Sequence, residues 1–154
     1  MSETKYGKNF ITQMKPNFVP NYHVPEGVKK KEKADRAIRA TRMAYVDDEV
    51  IKGGFYSENV WFLHGDEEIS VYPHTHDFDE ILTFFGTDPD NPEDLCGEAE
   101  LWMDDEKHII TKSTAVFIPK GLKHCPLIIR RVDRPIFHYA TGAASLYNGE
   151  ICSD

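Results

Sequence analysis

At 154 residues the chain is the length of one domain and can bury a core without disulfide or metal staples. Lys and Arg number 18 against 26 Asp and Glu, and the formal net charge of -8 argues against nucleic acid as a general partner, since phosphate binding needs a basic footprint. A hydrophobic share of 40% and a charged share of 29% describe an ordinary soluble globular protein, and apolar runs such as Ala115–Ile118 and Pro126–Ile129 are far too short to span a bilayer. The polar start, Met1-Ser-Glu-Thr-Lys, is not followed by an apolar run, so no signal peptide is expected. Cys96, Cys125 and Cys152 are an odd, scattered set that suggests no disulfide framework, and the expected compartment is the reducing cytoplasm.

Pro16, Pro20 and Pro25 exclude a long helix from residues 1–27, where Asn9, Asn17, Asn21 and Gly27 also fall. Phe10, Ile11, Phe18, Val19 and Tyr22 are spaced through this stretch, which predicts an extended arm laid across its own barrel or across a partner subunit. Residues 28–43 are locally basic, with Lys29, Lys30, Lys31, Lys33, Arg36, Arg39 and Arg42 facing only Glu32 and Asp35. Ala34, Ala37, Ile38 and Ala40 favour a short helix there. Its functional reading is a docking patch for an anionic partner or lipid surface. The weak apolar face favours instead a solvated helix face or a subunit contact. The division expected is an arm and short helix over 1–41, then a barrel over 42–154.

From Arg42 onward, runs rich in Val, Ile, Tyr, Phe, Trp and Thr recur between polar or glycine-containing breaks. Strands are predicted near 42–46, 54–63, 67–74, 80–86, 97–104, 106–112, 114–119, 125–132 and 135–141. The stretch Thr87–Cys96, with Pro89 and Pro92, reads as a longer loop. Ala99, Leu101 and Met103 alternate with Glu98, Glu100 and Trp102, the pattern of a sheet with one wet or functional face. Many short strands with regular turns predict an all-β sandwich or barrel. Trp61, Phe62, Tyr72, Phe84, Trp102, Phe117 and Phe137 are read mostly as core, with Tyr72 and Trp102 also placed to line a pocket.

The chemistry concentrates in Tyr72-Pro-His-Thr-His-Asp-Phe-Asp-Glu80. If this piece is extended, His74 and His76 lie on one face, because strand side chains alternate with a period of two. Asp77-Phe78-Asp79 suits a tight turn that returns Glu80 beside the pair. Two imidazoles and a carboxylate are a ligand set that a first-row divalent metal accepts, and it lacks a fourth member. The second candidate stretch is Phe117-Ile-Pro-Lys-Gly-Leu-Lys-His-Cys-Pro126, in which Pro119-Lys120-Gly121 stops one strand and His124 opens the next.

Together these two stretches resemble the motifs of a single-domain cupin. The first motif, His-x-His followed by Glu and then a glycine, is met by His74, His76, Glu80 and Gly86; the second, Pro-x-Gly-x-x-His, by Pro119, Gly121 and His124. The resemblance covers about residues 55–141 and implies a jelly-roll (double-stranded β-helix) barrel whose metal ligands are His74, His76, Glu80 and His124. The chain departs from the pattern at Gly65, which lies further from His74 than usual, at Ser113 in place of the second motif's opening glycine, and at Ile128 in place of its closing asparagine.

The resemblance implies one divalent transition metal, Fe2+ first, with Mn2+, Ni2+, Co2+ or Zn2+ as alternatives for the same donors. His138, Tyr72 and Lys120 are the candidate catalytic side chains, and Lys120, Lys123, Arg130 and Arg131 the candidates to hold an anionic substrate beside the metal. Cys125, next to His124, is expected to point away by alternation and to pack; His64 and His108 are read as surface or core residues. Two functions stay open. One is a metal-dependent enzyme (oxygenase, decarboxylase or isomerase) acting on a small oxygenated, anionic molecule. The other is a non-catalytic small-molecule binding or sensing cupin. The partners expected are a small-molecule substrate and a second copy in a homodimer, with no nucleic acid and no membrane.

Overall fold

The computed structural model describes residues 4–18, 22–23, 40–65 and 71–152. Among the described residues, a 3-10 turn at Gly7–Asn9 precedes the strands β1 (Tyr22–His23), β2 (Ala40–Val46), β3 (Ser57–Phe62), β4 (His74–Thr75), β5 (Glu80–Phe85) and β6 (Asp94–Met103). These are followed by β7 (Glu106–Lys112), β8 (Thr114–Ile118), β9 (His124–Val132), β10 (Ile136–Gly142) and β11 (Gly149–Ile151). No helix among the described residues is long and apolar enough to cross a membrane.

Two sheets form, ordered β1-β11-β4-β9-β6-β7 and β2-β3-β10-β5-β8, and every pairing is antiparallel except β1 with β11. Ser113 alone separates β7 from β8 and carries the chain from one sheet to the other. The inner faces follow the period of two: Val60 and Phe62 on β3, Leu82 and Phe84 on β5, and Ile136 and Ala140 on β10 all bury into one core with Leu101, Ile118 and Ile129. Each of these Val, Leu, Ile and Phe side chains contributes about 1.5–3 kcal/mol by leaving water. The arm closes one side of this core. Phe18 stacks its ring centroid 4.4 Å from that of Tyr45, and Lys15 reaches the buried carboxylate of Asp47 at 2.8 Å.

Several expectations change. The helix expected over 28–43 lies outside the described residues as far as 39, and from Ala40 the chain is strand, its Thr, Tyr and Val suiting the pleat beside β3. Of the strand expected over 67–74, residues 67–70 lie outside the described set, Val71 bridges Leu127, and the ladder proper is His74–Thr75. The loop expected through Cys96 ends sooner, because β6 begins at Asp94. Phe117 is 59% exposed on the outer face of β8, whereas Phe78, read only as a turn residue, is buried. Glu100, expected on a wet face, is buried under Arg130 and Trp102, which both donate to its carboxylate at 2.8 Å.

Candidate metal centre

The site is assembled across both sheets. His74 on β4 stands directly opposite His124 on β9, so the two imidazoles are a cross-strand pair with ring centroids 4.3 Å apart. Glu80 enters from the other sheet as the first residue of β5, opposite Ile118 and Gly142. His76 lies between them, its ring stacked on Phe78 at 4.6 Å and 18°. The second stretch is pinned to the first by backbone bonds: Gly121 N–H donates to the His76 carbonyl at 2.9 Å, and Lys120 N–H donates to the Asp79 carboxylate at 2.8 Å. Gly121 has φ 80°, the left-handed conformation glycine adopts without a Cβ penalty.

All four side chains are at most 5% exposed. Each imidazole is oriented by a carbonyl: Nδ1–H donates to Tyr72 O at 2.7 Å from His74, to Asn148 O at 2.6 Å from His76, and to Leu122 O at 3.0 Å from His124. With Nδ1 carrying the proton, the neutral ring presents a bare lone pair at Nε2. Those three Nε2 atoms converge. His74 and His76 bring theirs to 3.0 Å, and Glu80 Oε2 lies 3.4 Å from His76 Nε2 and 3.2 Å from His124 Nε2. His124 Nε2 is buried and has no hydrogen-bond partner.

Electrostatics sharpens the picture. Burial pushes the Glu80 carboxyl up, and the imidazoles of His124 and His76 pull it down by more, to about 2, so it is ionised at neutral pH. Burial first, and then the neighbouring His124 and His76, together lower His74 to about 3. Holding the Glu80 carboxyl so low requires positive charge among these groups, either a proton on the imidazoles or a cation in its place. His76, Glu80 and His124 form one group that could hold a metal ion, and His74, His124 and Cys125 form a second that shares His124. Nitrogen and oxygen donors of this kind suit a first-row divalent ion.

Solved structures with similar folds include an oxalate oxidase in complex with glycolate, at 14% identity and a TM-score of 0.50 over 78% of this chain and 58% of that one. They include a cupin 2 domain-containing protein from Halorhodospira halophila, at 16% identity and a TM-score of 0.49 over 79% and 71% of the two chains. An RmlC-like cupin from Shewanella frigidimarina gives 17% identity and a TM-score of 0.45 over 78% and 93%. The chain has the cupin fold. No family model matches it, and no curated protein does. The match spans just over half of the oxalate oxidase chain, 58%.

A cavity in this cupin barrel opens onto the imidazoles, and its lining sorts the sequence candidates. His138 lines it, because Ile136, His138, Ala140 and Gly142 share the inward face of β10. Its Nδ1–H donates to Thr83 O at 2.7 Å, and burial lowers its pKa to about 4, against the smaller pull of that bond and of Glu80. Tyr72 does not line the cavity and enters the site only through its carbonyl. Lys120 is exposed on the turn outside. The other expected anion holders are also outside the cavity: Lys123 pairs with Asp104 at 3.6 Å, Arg130 with Glu100 and Arg131 with Asp133. His64 and His108 are exposed, as read.

Arg42, Glu58, Tyr147 and Cys125 line the cavity and were not foreseen there. Arg42 is opposite the inward-facing Val60, so it shares that face, and its Nε donates to Glu58 at 2.5 Å. Tyr147 Oη approaches His74 Nε2 at 3.5 Å. Cys125 corrects the alternation argument. Leu127 pairs with Leu101 while His124 pairs with Met103, so β9 carries one residue more than β6 here, and Cys125 takes φ 70°. The bulge turns its side chain to the same cavity as its neighbour His124.

Proposed function

We propose that this chain is a metal-dependent cupin enzyme acting on a small, oxygenated, anionic molecule, with His74, His76, Glu80 and His124 as the ligands. The observation that carries this reading is the buried His124 Nε2, which has no hydrogen-bond partner and faces an ionised carboxylate at 3.2 Å. Leaving such groups unsatisfied costs about 1–3 kcal/mol each, and a divalent cation removes the cost for all of them together. A bound ion would supply Lewis-acid polarisation of a carbonyl or carboxylate, or, as iron, oxygen chemistry. The carbonyls of Tyr72, Asn148 and Leu122 fix which nitrogen each histidine turns inward.

The remaining residues serve the substrate. The cavity is small, about 80 Å³, which restricts its occupant to a small molecule. Val60, Phe62, Leu82 and Leu127 give it apolar walls that exclude water from the ligand end. Arg42 on β2 offers the guanidinium that an anionic group would meet, held in place by Glu58. His138, neutral at pH 7 with Nδ1–H already donated, has Nε2 left to accept a hydrogen bond.

The test is metal analysis of protein purified without chelator, followed by turnover assays with hydroxy and keto acids under oxygen and under nitrogen. Stoichiometric divalent metal, lost in His124→Ala together with any turnover, is the expected result. Metal-free wild-type protein that takes up none of the five candidate ions would end this reading.

A further inference from the structure

Strand alternation should send consecutive residues to opposite faces, yet His124 and Cys125 both line the cavity. The bulge in β9 is what allows it, with Cys125 in the left-handed region at φ 70°, a conformation that disfavours side chains other than glycine, asparagine and aspartate by about 1–2 kcal/mol. The result is a buried Sγ within 4.8 Å of ligating atoms of both His74 and His124. His74 falls in the group with this thiol and His124 rather than in the one containing Glu80. Packing alone is a weak reason for this arrangement. A small apolar residue fills space equally well, and a packing side chain does not need to lie among metal-ligating nitrogens.

We infer that Cys125 is a sulfur ligand of the ion proposed above, which makes the centre a mixed nitrogen, oxygen and sulfur site. The inference rests on the metal-centre reading. When sulfur binds, the thiol proton leaves to solvent and the thiolate lone pair forms the bond, so no oxidant or reductant is involved. Glu80 and the thiolate then supply two negative charges to a divalent ion, leaving the buried centre close to neutral. A soft sulfur donor also ranks the metals: it favours zinc, cobalt, nickel and iron over manganese.

Cobalt(II) titrated into the metal-free full-length chain reads the ligand directly, because a thiolate on cobalt produces a near-ultraviolet charge-transfer band that nitrogen and oxygen donors do not. The chain has three cysteines, so the Cys96→Ser/Cys152→Ser double variant leaves Cys125 as its single thiol. The band is expected in that variant and in wild type, and is expected to vanish in Cys125→Ser with cobalt still bound. Zinc affinity of Cys125→Ser should fall roughly tenfold relative to manganese. Cobalt bound by the double variant without a sulfur band removes Cys125 from the centre and leaves the other ligands standing. No cobalt uptake by wild type overturns both readings.

Discussion

His124 Nε2 and Glu80 Oε2 lie 3.2 Å apart, on side chains 1% and 3% exposed, and no hydrogen bond joins them. The reason is the carbonyl of Leu122, which accepts the hydrogen bond from His124 Nδ1–H and leaves the Nε2 lone pair facing the carboxylate. Glu80→Gln separates the two demands on this pair. Against its burial, His124 and His76 hold the Glu80 carboxyl down at about 2, so the fold favours the carboxylate, and metal-free Glu80→Gln should be less stable than metal-free wild type at pH 7. The same change removes the anionic ligand, so metal retention through gel filtration should be lost. Urea denaturation of the two metal-free proteins gives the first result and metal content the second. A variant that is no less stable and still holds metal contradicts the electrostatic argument.

Arg42 and Glu58 give a prediction with two signs. If the guanidinium meets the anionic end of a ligand, Arg42→Met should weaken carboxylate binding about tenfold, or ~1.4 kcal/mol. Glu58→Gln relieves the guanidinium of its partner and should tighten the same binding. The measurement is the rise in thermal midpoint of zinc-loaded protein with a panel of aliphatic mono- and dicarboxylates. Equal shifts in wild type and Arg42→Met would show that the pair only holds β2 to β3.

The contrast between foreseen and unforeseen residues has a physical basis. His74, His76, Glu80 and His124 were legible because ligand-type residues at fixed spacings, each beside a turn, carry their own local signal. His138 was named only as a candidate within Pro135-Ile-Phe-His-Tyr139, and its inward place follows from the alternation of β10. Arg42 did not, because it ends a run of basic residues and its inward face depends on pairing with Val60 across the sheet. Cys125 was assigned to the wrong face because a bulge reverses alternation and nothing in Lys-His-Cys-Pro announces one. Asn148, whose carbonyl orients His76 from 72 positions away, depends on β11 returning beside β4. Three-residue strands with no periodic pattern leave little trace in a sequence.

Two glycines of the resemblance are required for different reasons, and substitution tells them apart. A Cβ on Gly86 would sit 1.9 Å from the carbonyl oxygen of Asp94, where β5 runs against the start of β6. Backbone cannot yield there, so Gly86→Ala should cost about 3 kcal/mol, and Gly86→Asn no less. Gly121 has nothing within 4 Å of the same position and needs glycine only for φ 80°. Gly121→Ala should therefore cost about 1–2 kcal/mol, and Gly121→Asn much less, since asparagine tolerates that conformation. Chemical denaturation of the four variants is the check, and equal costs for the two asparagine variants would refute the distinction.

Acid should weaken the metal-free protein through histidines that the fold keeps neutral. Burial lowers His138 to about 4, with Glu80 raising it and Arg42 lowering it by less, while an imidazole in the unfolded chain titrates near 6.5. Above that value neither state binds the proton and stability is unaffected. As pH falls below it, the unfolded chain is protonated and the folded chain resists until about 4, so stability declines across that window. The full loss from this one group is about 3 kcal/mol, and about 2 kcal/mol of it falls between pH 7 and pH 5. His138→Phe keeps an aromatic ring beside Phe62 and Phe84 and deletes the titration, while His74, lowered to about 3, continues to contribute in both proteins. Urea midpoints of the metal-free pair at pH 7 and pH 5 isolate the difference. The variant should lose less stability than wild type by about 2 kcal/mol, and parallel losses would mean that His138 takes up its proton as readily in the folded protein as in the unfolded chain.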